Sequence, residues 1–243
     1  MAARAHIPFT TAFQDAVRPT GNLAAIFPPS SPPEPDATLK AQLLAQFNRT
    51  YKIGYELPFQ SNVFWEDALT WAEITPSSGL ISWDVLGDAR NLEIYTADPR
   101  ETRMATSVQF FTDKTGIRVS EDLPTVWVSW TPRVYPFNTT AWVHPTTYAV
   151  GDVRTVSSLE CYRCISAHSS NANFATDLAA SRWVLLPVLE VLHEFCIRHL
   201  HASWLREAAG QVKTGVELQN AALTELLETH RAELRRNRES PKP

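Results

Sequence analysis

Glycine is scarce, eight in 243 residues. That leaves no place for a Gly-rich phosphate loop or a dinucleotide fingerprint, and no Gly-x-Ser-x-Gly elbow occurs. Cysteine is scarcer, three in all. Their odd spacing is no secreted disulfide framework, so Cys161, Cys164 and Cys196 are expected as thiols. No apolar run approaches the length that spans a bilayer, and residues 1–13 lack the apolar core of a signal peptide. The chain is therefore expected to mature in a cytoplasm with no membrane partner. Strong charge of one sign is missing too. A formal net charge of -4 argues against a protein that coats nucleic acid, although Arg231, Arg235, Arg236 and Arg238 gather a local basic patch near the C-terminus.

What the chain has in quantity is proline, 17 residues, which points to short strands and fixed loops. The expected class is α+β, in four parts. Residues 1–54 form a Pro-rich arm and a short helix: 1–21 show little periodicity, and Phe27, Pro28, Pro29, Pro32 and Pro33 belong to a stiff extended run suited to lie across a neighbouring subunit. Asp36 or Thr38 caps a helix with Leu39, Leu43, Leu44 and Phe47 on its apolar face, and after Gly54 the chain changes character. Residues 55–147 alternate strand-like runs, such as Val63-Phe64-Trp65 and Val126-Trp127-Val128-Ser129-Trp130, with turn signals such as Asp113-Lys114-Thr115-Gly116. They read as an antiparallel sandwich or barrel. Residues 148–186 form a small three-stranded β module. Residues 187–243 form a helical hairpin, with Pro187 at a first helical position, Leu189, Leu192, Cys196, Leu200 and Trp204 following at helical spacing, and breaks at Gly210 and Gly215. Leu223, Leu226, Leu227 and Leu234 line the second helix before a charged tail.

Several clusters invite a chemical reading. Trp65, Trp71, Trp83, Trp127 and Trp130 suggest a sugar-stacking platform, but aromatics of this density more often fill a sandwich core. Cys161-x-x-Cys164 with His168, and His193, His199 or His201 further on, supplies zinc-ligand types. On a strand the two cysteines point to opposite faces, which favours a structural role and no metal. His193-Glu194 opens like a zinc-protease helix, yet Ile197 stands where the second His is needed. Asp98-Pro99-Arg100, and Asp84 with Asp88, offer carboxylates for glycoside cleavage, but turn residues at strand ends supply the same letters. The expectation is a protein that is not an enzyme and carries no cofactor; a zinc-dependent hydrolase is the remaining enzymatic alternative.

Tyr148-Ala-Val-Gly151-Asp152-Val153, Cys161-Tyr162-Arg163-Cys164 and a closing Trp183 resemble the small carbohydrate-binding modules of the chitin-binding type. The resemblance covers about forty residues at the level of fold. It places Tyr148, Tyr162 and Trp183 on structural aromatic positions, whereas Ala167-His168-Ser169-Ser170 stands where an exposed aromatic pair would stack on sugar. It implies a spacer or contact surface, or alternatively a fibre or baseplate component that binds carbohydrate through Tyr162, His168 and Trp183.

The Trp71–Arg100 progression, the module and the run from Ala202-Ser203-Trp204-Leu205 through Gly210-Gln211-Val212-Lys213 to Glu217-Leu218-Gln219-Asn220-Ala221 are together similar to tailed-bacteriophage neck proteins. Their class is the head-to-tail adaptor or connector. The resemblance implies a virion protein at the head–tail junction, made in the host cytoplasm. It would form a ring, usually of twelve copies, below the portal protein, with the next neck or tail protein on its other side. DNA would pass through without sequence-specific binding. Arg231, Arg235, Arg236 and Arg238 are then the expected portal contacts.

Overall fold

A computed structural model describes residues 6–29, 34–57, 69–86, 89–102, 104–120, 123–156 and 160–239. In chain order the N-terminal elements are β1 (His6–Ile7), α1 (Phe9–Val17), α2 (Leu23–Ile26) and α3 (Ala37–Glu56). The central elements are β2 (Thr70–Ile74), β3 (Leu80–Ser82), α4 (Trp83–Leu86), β4 (Ala89–Tyr95), β5 (Phe110–Thr112), β6 (Gly116–Val119) and β7 (Val126–Pro132). There follow β8 (Thr147–Tyr148), β9 (Val153–Val156), β10 (Glu160–Cys164), β11 (His168–Ser169), α5 (Phe174–Ala179), β12 (Trp183–Leu185), β13 (Val188–Leu189), α6 (His193–Glu207) and α7 (Val212–Glu239). Helices thus combine with small antiparallel sheets, and among the described residues no sheet closes into a barrel.

The chain divides into two compact units, Met1–Leu57 with Tyr135–Arg231, and Pro58–Val134 with Ala232–Pro243. The first unit draws residues from the expected arm, the β module and the hairpin into one body. Its centre is α1, α3 and α6. Phe9, Ala12, Phe13, Ala16 and Val17 are all buried, the i, i+3, i+4, i+7, i+8 stripe of an amphipathic helix. Phe9 stacks on Phe137 at 4.9 Å and Phe13 meets Phe47 edge-on at 5.6 Å. These contacts overturn the expectation that residues 1–21 form part of an arm: the buried aromatic stripe needs α3 for its partner.

The predicted capping holds for α3, where the Asp36 carboxylate accepts from Leu39 N at 2.9 Å. Gly54 lies inside this helix, which runs to Glu56. Its missing Cβ admits Phe195 of α6, whose ring atoms lie 2.8 Å from where a Cβ would stand. Pro187 likewise does not start a helix. Val188 and Leu189 pair with Ile7 and His6 as a short ladder, and α6 begins only at His193, after a 3-10 turn at Glu190–Leu192.

The second unit holds two three-stranded antiparallel sheets, β2-β7-β4 and β3-β6-β5. Both feed one core, with Ile94, Val126, Val128 and Trp130 from the first and Ile81, Ile117 and Val119 from the second. The β5–β6 hairpin turns where the sequence predicts, because Asp113 Oδ1 accepts from Thr115 N and Gly116 N. The predicted strand at Val63-Phe64-Trp65 lies outside the described residues.

Candidate functional site

The C-terminal hairpin is built around small and polar residues. Gly210, at φ +68°, breaks the chain after α6. Gly215 then lets α7 approach closely, since a Cβ there would stand 2.7 Å from the Ala202 carbonyl oxygen. Further along, Gln219 donates to Ser203 Oγ at 2.8 Å and accepts from Arg206 at 2.7 Å. Ala222, Leu226 and His230 continue the buried stripe. Arg198 joins Glu194 on its own helix to Glu225 on α7. The packed face is therefore Gly215, Gln219, Ala222, Leu226 and His230, one step round the helix from the expected leucine face. Of that expected face, Leu226 is buried and Leu227 is 37% exposed. The Leu234 side chain lies outside the described residues.

His199 ties this hairpin to the N-terminal helices through Nδ1, which lies 3.1 Å from Thr50 Oγ1 of α3. Burial, then the positive charges of Arg206 and Arg49, push its pKa down to about 4. Of the four expected portal contacts, Arg231 and Arg235 are exposed. Arg236 and Arg238 have their backbone in α7, and their side chains lie outside the described residues.

The β module does bring the carbohydrate candidates near one another, but as its core. Trp183 is 3% exposed and meets Tyr148 edge-on at 5.0 Å and His168 at 5.7 Å. Tyr162 packs on Phe174 at 4.8 Å and is half-buried. Tyr148 and Trp183 are buried, so neither offers a face to a sugar. Behind them lies a polar cluster in which His168 Nδ1 donates to Ser166 O at 2.7 Å, with Cys164 Sγ 3.8 Å away. Its Nε2 lies 3.5 Å from Asp177 Oδ2. Because Nδ1 is committed to a carbonyl, it cannot serve as a base toward Cys164.

Burial works to raise the pKa of Asp177, but hydrogen bonds from Asn171 and the charges of His168 and Arg182 outweigh it and hold the carboxyl below its ordinary value. Burial also pushes the Cys164 thiol up, and the Cys161 thiol to about 11. All three cysteines are free and buried, with Cys161 directed to Asn138 O and Cys164 to Ser166 O. Among the described residues no group of three His, Cys, Asp or Glu side chains is placed to hold a metal ion.

The tryptophan cluster divides by strand register. Trp130 lies in the core, and Trp83 packs against it while donating through Nε1 to Asp113 O at 2.9 Å. Trp71 pairs with Ser129, and Tyr95 with Trp127, so these four side chains share the opposite, outward face of β2-β7-β4. Trp71 and Tyr95 stack at 6.0 Å over the small Ser129. The Arg100 guanidinium lies 4.9 Å from the Trp71 ring and 5.4 Å from Trp127. Asp98, 4% exposed, fixes that guanidinium, with Nε donating at 2.8 Å. The same bonds hold the Asp98 carboxyl below its usual range, which is the wrong direction for a glycosidase acid. The Asp84 side chain and Asp88 lie outside the described residues. Sequence reading named these tryptophans but missed Tyr95 and Arg100 as their companions.

The expected arm is tethered rather than free at its described ends. Asp36 N donates to Ala25 O at 2.9 Å. Phe27 packs edge-on against Phe13 at 5.8 Å, with Lys40 Nζ 4.8 Å from its ring. Pro28 and Pro29 follow on the surface of the same unit, lining a shallow groove with Gln14, Pro35 and Lys40. Pro32 and Pro33 lie outside the described residues. Comparison of the chain with protein-family models, curated proteins and solved structures gives no match.

Proposed function

We propose that the chain is a structural virion protein of the head-to-tail adaptor type. It would assemble as a ring, twelve copies by the resemblance, below the portal protein, extend the DNA channel and receive the next neck or tail protein. The observation that carries this reading is the surface of α7. This 28-residue helix gives one stripe to α6 and leaves Val212, Val216 and Leu227 exposed beside Arg231 and Arg235. Apolar side chains bordered by arginine are what a protein-docking surface uses.

The second unit is read as a small sandwich, supported by the single core that its two sheets share. A net charge of -4 suits a channel, since each phosphate neutralised by a cation would hold the DNA more tightly as it passes. The test is Arg231→Glu with Arg235→Glu, mixed with the portal protein of the same virion. Both side chains are exposed, so the melting temperature should hold while portal binding is lost; undiminished binding refutes the contact. Charge reversal is cleaner than removing everything after Leu227, because truncation also deletes His230, which is 4% exposed.

A second reading, a carbohydrate-binding fibre or baseplate component, has one observation in its favour. Trp71, Tyr95 and Trp127 are half-buried on an outward sheet face, beside Glu73, Glu93 and Arg100 as hydrogen-bonding groups. Saturable binding of chitin or peptidoglycan fragments that Trp127→Ala abolishes would favour it over the adaptor. No binding to either fragment would remove it.

A further inference from the structure

The outward face of β2-β7-β4 alternates rings with carboxylates. Across one row the register sets Glu73 of β2 and Tyr95 of β4 on either side of Trp127. In the next row Trp71 and Glu93 flank Ser129. Strand partners on one face lie about 5 Å apart and diagonal neighbours about 7–8 Å apart. The patch therefore has an exposed carboxylate at each of two opposite corners and a half-buried ring at each of the other two.

One cation already rests on these rings. The Arg100 guanidinium lies 4.9 Å from the Trp71 ring and 5.4 Å from the Trp127 ring, held there by Asp98. That pairing offsets its charge and leaves the glutamates to set the sign of the surface. Glu93 Oε2 accepts from the Tyr95 hydroxyl at 2.6 Å, which fixes the carboxylate beside its ring. The same sign extends beyond the patch, since acidic residues outnumber basic ones by nearly two to one over residues 58–134. The face of an aromatic ring attracts a cation through its quadrupole, and a neighbouring carboxylate adds to the pull. Of the two cationic side chains arginine fits better, because its planar guanidinium both stacks on a ring and pairs with a carboxylate.

We propose that this face docks a segment of a partner protein that carries at least two arginines, one meeting Glu73 and Trp127 and another meeting Glu93 and Tyr95. The inference does not rest on the neck reading. If both hold, this acidic face and the exposed arginines of α7 serve different partners, because a basic segment that suits the one is repelled by the other.

Titration calorimetry of the full chain with hexa-arginine at low ionic strength tests it. Saturable binding is expected, tighter than that of hexalysine. Glu73→Gln, Glu93→Gln and Trp127→Leu should each weaken it roughly two- to fivefold. Glu228→Gln removes an exposed acid of α7 and changes the net charge equally, yet should leave binding unchanged. No binding of hexa-arginine overturns the proposal. So does a loss on Glu228→Gln equal to that on Glu73→Gln, which would mean attraction by net charge alone. A Trp127→Leu variant that keeps its melting temperature and binds like the wild type overturns it too; if that variant unfolds, the two exposed glutamates decide. Chitin fragments bound at this face in preference to hexa-arginine overturn it in favour of the carbohydrate reading. Portal binding by the Arg231 and Arg235 variants is measured separately and bears only on the neck reading.

Discussion

His199 gives the account a pH signature. It is 6% exposed, with Thr50 Oγ1 beside Nδ1 and a pKa near 4, against about 6.5 in an unfolded chain. Below pH 6.5 the unfolded chain takes up a proton that the folded one refuses, so stability rises with pH between the two values. The contribution is therefore whole above pH 6.5 and is lost as pH falls to 4. The gap corresponds to roughly 3 kcal/mol, or about 6–12 °C in melting temperature for a chain of this size. His199→Gln keeps a hydrogen-bonding group near Thr50 and removes the titration. The assay is urea unfolding of both proteins from pH 7 to pH 4. The stability advantage of the wild type over the variant should shrink by roughly 3 kcal/mol across that range, and the His199 ring should titrate near pH 4 by NMR. A flat difference between the two proteins, or a ring that titrates near 6.5, refutes the reasoning, because His199 would then be open to water.

Two further substitutions probe the packing on which the functional surfaces stand. Gly215→Ala gains about 1 kcal/mol of helix propensity, but its methyl group would meet the backbone of Ala202 and Arg206 at 2.7 and 2.9 Å, an overlap that costs about 1–3 kcal/mol. A net loss of about 1 kcal/mol and a drop of a few degrees in melting temperature are expected, and a stabilised variant would show that the helices are not in close contact there. Tyr148→Phe removes a hydroxyl that donates to Val143 O and accepts from Val143 N, both at 2.8 Å. The orphaned backbone groups should cost about 1–3 kcal/mol, read from the urea midpoint, and an unchanged midpoint would contradict the pairing.

What the sequence made legible is what local physics decides. Asp36 as a cap, Gly210 as a helix stop and the Asp113–Gly116 turn each depend on a few neighbouring residues, and each is found. Pro187 misled because its true context is distant: Val188–Leu189 find their partner at His6–Ile7, and no local spacing reports that. The stripe Phe9, Ala12, Phe13, Ala16 and Val17 was present in the letters, and the proline-rich run beyond it drew the whole segment toward an extended reading. Trp127 and Trp130 lie three apart on one strand, so period two already sends them to opposite faces. Which face is the core depends on the register with β2 and β4. The apolar arc of α7 is wider than α6 can cover, and only the packed hairpin separates the buried Leu226 from the exposed Leu227.

The most direct test of the neck reading is the mass of the purified chain alone and with the portal protein of the same virion, by mass photometry with negative-stain imaging. The account predicts that, with the portal, this chain forms a ring stacked on the portal ring. A chain whose mass and shape are indifferent to the portal would contradict it.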